Sequence, residues 1–490
     1  MSKNLIRHIG KSSAKCALIV VTAASAIFPV SALSQQQGSA ALQSIQEALS
    51  PSPLQGSVTR EKATNQVLPL SLADAIQRSL RYNLGLIESN TGAQRVRAEQ
   101  VRQLANLLPQ VNATISETAQ QINLAALGFP AGKIPGVPSI VGPFVVFDAR
   151  ANLSQSVFNW NLIQKARASR EVTRGTVEAL RNTRELVVLS TGNSYLQVTT
   201  AISRVEAAQS EVNTADALYK RAVDQQNAGV TPKIDALRAQ VELQARQQQL
   251  IQAQNNLDKS RLQLARTIGL PLDQRYEVTD RVPYQPLPAL DFKTELERAY
   301  QRRADFLQAQ SLVKAAELSK SAAVAEHYPS LGINGYYGDE GLNSPFHSHG
   351  VFAAAAGIQI PIFAGWKTRA DIQEADANLT QRRAELDDLR SRIEYEIRNA
   401  FLDVMAAAKQ VEVAQSSLQL ANETLTQAQD RFAAGVADNL EVVQAQDSVA
   451  TANESYIAAV YQHNISKVIL ARSVGVAEQA VEQYLKGTGK

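Results

Sequence analysis

One stretch of the chain, from Trp366 to Ala434, contains neither glycine nor proline over 69 residues. Alanine, leucine, glutamate, glutamine and arginine dominate it, and all five are good helix formers. As a single helix it would be about 100 Å long, at a rise of roughly 1.5 Å per residue. Helices in globular domains average about 11–12 residues. The stretch therefore predicts an elongated helical protein.

Apolar residues recur along this stretch at alternating steps of three and four. They are Ile397, Ala400, Val404, Ala407, Val411, Ala414, Leu418, Ala421, Leu425, Ala428 and Phe432. This 3.5-residue period predicts a coiled coil with a partner helix, and its regular alanines let two helix axes come close. Leu389, Ile393 and Ile397 are instead spaced four and four, so we expect the N-terminal third to pack differently.

The same alternation of small and large residues occurs earlier in the chain, 206 residues away. Its members are Val198, Ala201, Val205, Ala208, Val212, Ala215, Tyr219 and Ala222. At the same offset, Ala228-Gly229-Val230 corresponds to Ala434-Gly435-Val436. Pro109 and Pro329 differ by 220 because the first half has a longer loop between its strands. The chain is therefore an internal repeat whose unit is helix, two strands, long helix, turn and helix.

The first 32 residues differ from the rest in charge and hydropathy. They contain four basic residues and no acid, then an apolar run from Cys16 to Val30 and the small-residue end Val30-Ser31-Ala32. This pattern predicts a secretory signal peptide over residues 1–32, with an uncleaved membrane anchor as the alternative. A lipoprotein is disfavoured because Lys15, a large residue, precedes Cys16.

Charge and cysteine content exclude further classes. The formal net charge of +3 becomes −1 once the signal peptide is removed, so no positive excess is left for a nucleic-acid partner. Cys16 is the single cysteine, so the exported chain would have no disulfide and no cysteine metal site.

We divide the remaining chain at its clusters of proline and glycine. The predicted segments are an extended N-terminal leader (33–70), a first repeat (71–269), a connector (270–290), a second repeat (291–475) and a C-terminal tail (476–490). Each repeat is predicted to open with one helix, from Ser71 to about Leu108 and from Glu295 to Tyr328.

After each opening helix the apolar period changes from 3.6 to 2, which predicts strands with one apolar face. The predicted strands are at about 110–121, 144–157, 330–337 and 351–363. Two strands per repeat are too few for a stable sheet, so we expect other copies to supply more edges. Such strands suit a transmembrane β-barrel with its apolar face toward lipid, and three chains would supply twelve. The predicted fold class is mainly α with a small membrane β-barrel.

Six aromatic residues near the strand ends are candidates for the lipid interface, with ordinary packing within the barrel as the alternative. They are Phe129, Phe144, Phe147, Tyr336, Tyr337 and Phe352.

These features together resemble the TolC family of outer-membrane efflux channels over about residues 70–476. The motifs that carry the resemblance are Ser71-Leu72-Ala73-Asp74-Ala75-Ile76 with Asn83, the strand-opening Pro109 and Pro329, Ser156-Val157-Phe158, Pro361-Ile362-Phe363-Ala364-Gly365, and two Gly-Val turns that are each followed by an acid. The resemblance implies a homotrimer. Its twelve-stranded β-barrel would lie in the outer membrane of a Gram-negative bacterium, above a trimeric α-helical tunnel across the periplasm.

The resemblance also implies partners. The tunnel would dock to a periplasmic adaptor (membrane fusion) protein and an inner-membrane pump, either proton-driven or of the ABC type. The transport would be efflux of small molecules, such as drugs and toxic compounds, or type I secretion.

In the family, the tips of the two helix–turn–helix hairpins form the periplasmic mouth and meet the adaptor. Here the tips correspond to Gly229-Val230-Thr231 and Gly435-Val436-Ala437. An acidic ring would map to Glu441, with Asp438 nearby and Gln444 where the best-known member has a second acid. The alternative is that both acids are merely solvated and favoured by the helix dipole.

The contact that holds the best-known family member shut cannot form in the same way here. Its arginine and tyrosine correspond to Ala437 and Phe432, whereas their partner is retained as Asp235. We therefore expect other contacts to hold the mouth closed, with Lys233 and Arg238 as candidates.

Nothing in the sequence indicates an enzyme or a cofactor, since triad spacing and phosphate-binding loops are both lacking. His347 and His349 form an H-x-H pair, which we interpret as part of an exposed loop, with a metal site as the alternative. Two other function classes compete with a channel. A periplasmic adaptor would have one hairpin flanked by β-rich domains, and a coiled-coil scaffold without a pore would leave the amphipathic strands unexplained.

Overall fold

The computed structural model describes residues 53–128, 138–280, 283–287, 290–342, 348–437 and 439–486. The predicted signal peptide, the first part of the predicted leader, and Phe129, His347 and Asp438 lie outside these residues.

Nine α-helices make up most of the described residues. They are α1 (Leu72–Tyr82), α2 (Leu84–Ala105), α3 (Trp160–Asn227), α4 (Lys233–Ile268), α5 (Phe292–Arg302), α6 (Ala304–Val324), α7 (Lys367–Ala433), α8 (Asn439–Val474) and α9 (Ala477–Lys486). Helices α3 and α7 have 68 and 67 residues, so each is about 100 Å long. We call α3–α4 the first hairpin and α7–α8 the second hairpin.

Each repeat opens with two helices, which corrects the single helix that we expected there. Asn83 separates α1 from α2, and Arg303 separates α5 from α6. Both have extended backbone, with ψ of 131° and 120°. The side chain of Asn83 accepts a hydrogen bond from the backbone N–H of Leu86 at 3.3 Å, and Asn is among the residues preferred at helix starts.

Four strands form one antiparallel sheet in the order β2–β3–β5–β6. Their bounds are β2 (Gln110–Asn123), β3 (Ile140–Phe158), β5 (Ser330–Leu342) and β6 (Ser348–Gln359). Two three-residue strands, β1 (Leu68–Leu70) and β4 (Tyr276–Val278), pair in parallel elsewhere. Because β3 pairs with β5, the strands of the two repeats join into a single sheet.

The two faces of this sheet differ in polarity, as the alternation predicts. Tyr337 pairs in register with Phe352, and these residues are 73% and 78% exposed on the apolar face. On the opposite face Arg150 contacts Glu340 at 2.6 Å and lies 4.6 Å from the ring centre of Tyr336. Tyr336 therefore belongs to the polar face, and its assignment to a lipid-facing aromatic group was wrong.

The helices are ordered like the strands into which they run. Near the sheet α2, α3, α6 and α7 are neighbours in that order, and toward the hairpin turns the order is α4, α3, α8 and α7. Helix α7 therefore lies at one edge of the layer, with α2 and α4 at the other.

Burial along α7 follows the predicted seam. Its buried members are Ile397, Ala400, Val404, Ala407, Val411, Ala414, Ala428 and Phe432. Ile393 and Ile397 pack on Ala299 of α5 and Phe306 of α6, whereas Phe432 packs among residues of α3, α4 and α8. This change of partner confirms that the N-terminal third packs differently.

The largest core lies where the hairpins meet the short strands, and it includes Leu70, Tyr195 and Ile268. The segment from residue 476, which we described from the sequence as a tail, contains α9. Its Val481 and Leu485 are 1% and 0% exposed in this core.

Candidate functional site

The two hairpin turns have the same hydrogen bonds at the same offset of 206 residues. The backbone N–H of Val230 donates to the oxygen of Gln225 at 2.9 Å, and that of Val436 donates to the oxygen of Arg431 at 3.0 Å. This six-to-one bond satisfies a carbonyl that the end of the helix leaves without a partner. The repeat seen in the sequence therefore extends to the backbone geometry of the turns.

Glycine is required at both turns because the backbone is left-handed there. Gly229 has φ of +70° and Gly435 has φ of +73°, a region that L side chains enter at a cost. The next residues, Val230 and Val436, are 72% and 70% exposed. Each turn therefore presents an apolar side chain to its surroundings.

Behind the turns, eight apolar residues from four helices form what we call the tip cluster. They are Leu218, Ala222, Ala236, Ala239, Ala428, Phe432, Val442 and Ala445. Phe432 is only 5% exposed and is the largest member. It therefore packs the first hairpin against the second, and it has no hydroxyl with which to hydrogen-bond Asp235.

Asp235 joins the two hairpins through its backbone. Its carbonyl oxygen accepts a hydrogen bond from the side-chain amide of Asn439 at 3.1 Å. Its carboxylate lies 3.5 Å from the guanidinium of Arg238 on the same helix. Lys233 begins α4 and is exposed.

Glu441 is partly exposed in the first turn of α8 and contacts Arg431 of α7 at 3.1 Å. The predicted acid therefore has a basic neighbour across its own hairpin. Gln444 is exposed one turn further along α8. The structure thus brings Phe432, Asp235 and Glu441 to one end of the hairpins.

Sequence reasoning missed a charged group about ten residues above the turns. Arg246 of α4 is surrounded by Glu242 of α4 at 2.6 Å, Glu211 of α3 at 3.4 Å, and Asp447 of α8. We call these four residues the Arg246 cluster. Burial raises the pKa of Glu211, and the charge of Arg246 opposes that rise. Only the Glu242–Arg246 spacing of four was visible in the sequence.

None of the described helices combines the length and the hydropathy needed to cross a membrane. Within the same residues, no three His, Cys, Asp or Glu side chains gather as a metal ion would require.

Comparison with known proteins gives a consistent result. A model of the outer membrane efflux protein family matches residues 75–270 and 296–476. TtgC of Pseudomonas putida, a toluene efflux pump outer membrane protein, is 25% identical over 441 residues, which are 83% of this chain and 83% of TtgC.

Two further comparisons extend the range of similar proteins. The alkaline protease secretion protein AprF of Pseudomonas aeruginosa is 20% identical over 334 residues, which are 67% of this chain and 69% of AprF. Among solved structures, the open state of the MtrE outer membrane channel of Neisseria gonorrhoeae matches with a TM-score of 0.68 at 17% identity. That match covers 86% of this chain and 94% of MtrE.

Proposed function

Since this chain belongs to the outer membrane efflux protein family and is an outer-membrane efflux channel, we propose that three copies form one conduit across the outer membrane and the periplasm. The observation that carries this proposal is that the single chain is open at both edges. Within the described residues, β2 and β6 each pair on one side only. Their free N–H and C=O groups are suited to accept another strand.

Pairing of β2 in one copy with β6 in the next would be a head-to-tail contact, and such contacts form rings when the rotation closes. Three copies of the four-stranded sheet would give a twelve-stranded barrel without edges. The number three comes from the resemblance to the TolC family.

The edge helices support the same ring, because both expose apolar residues. On α7 these are Tyr395, Leu402, Met405, Val413 and Leu420, and on α4 they are Ile234, Leu237, Val241, Ile251 and Leu262. In a ring, α7 of one copy would face α4 of the next, and both apolar surfaces would be removed from water. At about 25 cal/mol per Å², this burial would favour association.

The hairpin tips would form the periplasmic mouth. We propose that Gly229-Val230-Thr231 and Gly435-Val436-Ala437 contact a periplasmic adaptor, with exposed Val230 and Val436 as apolar anchors, and that an inner-membrane pump delivers the cargo. Three copies of Glu441, with Asp438 nearby, would concentrate negative charge in a narrow opening and attract cations.

Small-molecule efflux is the favoured transport, because the match to the toluene efflux protein TtgC spans 83% of both chains. Type I secretion is the second candidate, since AprF is a protease secretion protein, but that match covers 67% of this chain at lower identity.

The test is conductance of the purified protein in planar bilayers, with Glu441→Gln compared against Glu423→Gln as a matched exposed acid on α7. Discrete, cation-preferring steps that Glu441→Gln weakens and Glu423→Gln leaves unchanged would support both the pore and the acidic mouth. Steps that neither change affects would retain the pore and reject the role of Glu441. Absence of steps, from protein that is extracted without detergent, would reject the conduit in favour of an exported adaptor or scaffold.

A further inference from the structure

Arg246 is the most buried charged side chain at the junction of the two hairpins near their tips. Its side chain is 6% exposed, and its guanidinium contacts Glu242, Glu211 and Asp447. It also donates to the side-chain oxygen of Gln249 at 3.0 Å. An arginine that is removed from water is stabilised only when its donors are satisfied in this way.

The four members of the Arg246 cluster are divided unequally between the hairpins. Arg246, Glu242 and Glu211 belong to the first hairpin, and only Asp447 belongs to the second. The side chain of Asp447 is 62% exposed, compared with 13% for Glu242 and 19% for Glu211. If the hairpins separate, Asp447 is therefore the partner that leaves, while Arg246 keeps the other two acids.

The internal repeat shows that this contact is not a general feature of the fold. At the offset of 206 residues, Arg246 corresponds to Ala452, Glu242 to Ser448, Glu211 to Ser417 and Asp447 to Val241. Where Arg246 fills the space between α3 and α4, the equivalent space between α7 and α8 is a hollow of about 1080 Å³ lined by Ser417, Ser448 and Ala452.

We propose that Arg246 positions the second hairpin against the first through Asp447, and that opening of the mouth breaks this contact once in every chain. The proposal rests on the proposed channel function. It assigns the ionic contact to the junction within a chain. The junction between copies has no counterpart, since Val241 and Ala452 would take those positions.

A second ion pair crosses the same junction and serves as the matched control. Arg204 of α3 contacts Glu454 of α8 at 2.6 Å, but both side chains are about half exposed, at 45% and 54%. Exposed ion pairs contribute little, because water and salt screen them. Loss of this pair is therefore expected to leave the mouth unchanged.

The experiment measures the ratio of open to closed time of the purified wild-type channel and its variants in planar bilayers. Asp447→Asn is the main variant, because its exposed side chain is not needed for folding. We expect it to raise the open-to-closed ratio roughly tenfold, as for loss of one partner of a buried charge. Asp447→Glu should restore the wild-type ratio, and Glu454→Gln should have no effect.

A double variant shows whether Asp447 acts through Arg246. In an Arg246→Met background, Asp447→Asn should add nothing further, because its partner is already gone. Additive effects, an effect of Glu454→Gln equal to that of Asp447→Asn, or an unchanged ratio in Asp447→Asn would each overturn the proposal. If the wild-type protein itself gives no steps, the channel function fails instead, so the two failures are distinguishable.

Discussion

The side-chain amide of Asn439 donates a hydrogen bond to the backbone oxygen of Asp235, 3.1 Å away, and so joins the tip of the second hairpin to that of the first. The internal repeat places Lys233 at the position that corresponds to Asn439, and Glu441 at the position that corresponds to Asp235. In a ring of copies, the equivalent junction lies between the second hairpin of one copy and the first hairpin of the next. There Lys233 would lie beside Glu441.

The first prediction is that Lys233 of one copy approaches Glu441 of the next. A chain with Lys233→Cys and Glu441→Cys should form covalent dimers and trimers under mild oxidation, visible on a denaturing gel. Cys16 is the single natural cysteine and lies in the predicted signal peptide, so no other thiol should compete. Lys233→Cys combined with Glu412→Cys, about 30 Å further along α7 at 1.5 Å per residue, should not cross-link. Cross-linking of this control, or bonds formed only within one chain, would contradict the prediction.

The second prediction concerns which basic residue holds the mouth closed. Lys233→Ala should raise single-channel conductance, because it removes the cation that would face Glu441 between copies. Arg238→Ala should have a smaller effect, because Arg238 is 50% exposed and contacts Asp235 on its own helix at 3.5 Å. Conductance that is unchanged in both variants would exclude both residues from the closed state.

The features that the sequence predicted well are those set by local periodicity. The seam on α7 became buried because a 3.5-residue period places all its members on one side of a helix. The two turns were predicted because Gly229 and Gly435 occupy backbone conformations that few other residues enter at low cost.

The features that sequence reasoning missed depend on contacts between distant residues. Arg246 meets Asp447 across 201 residues of sequence, and no local pattern indicates that pairing. Asn83 and Arg303 break their helices although neither is glycine or proline, because tertiary packing overrides intrinsic helix preference. In the C-terminal segment, the four-residue spacing of Val481 and Leu485 was a signal for α9 that we did not use.

The third prediction is that Phe432 stabilises the tips by packing alone. Phe432→Ala should cost about 3–5 kcal/mol of local stability, as for removal of a large buried aromatic side chain. Hydrogen exchange should therefore quicken at residues 215–245 and 425–450, but not in the core around Tyr195. Phe432→Leu, which retains most of the apolar volume, should restore much of the protection. Equal protection in Phe432→Ala and wild type would show that the tip cluster does not depend on this residue.

The last prediction is that His463 makes the folded chain sensitive to acid. His463 is 0% exposed in α8, and its ring centre lies 4.8 Å from that of Tyr284. Burial, together with the nearby charge of Lys467, lowers the pKa of His463 to about 4. The ammonium group of Lys467 itself donates to the backbone oxygen of Gln285 at 2.5 Å. The imidazole is therefore held in its neutral form.

In the unfolded chain His463 would take up its proton near pH 6.5, whereas in the folded chain it does so near pH 4. Between these values the unfolded state binds more protons, so the free energy of unfolding should fall as the pH falls from 6.5 to 4, and this contribution should be constant below that range. The loss is on the order of 2–3 kcal/mol for one such group. His463→Phe keeps a ring against Tyr284 and should remove this part of the acid sensitivity. Thermal unfolding followed by circular dichroism in detergent at pH 7.5 and pH 4.5 measures the difference. Lys467→Met should weaken the effect by raising the pKa of His463, and an equal loss of stability in wild type and His463→Phe would exclude this histidine as the acid-sensitive group.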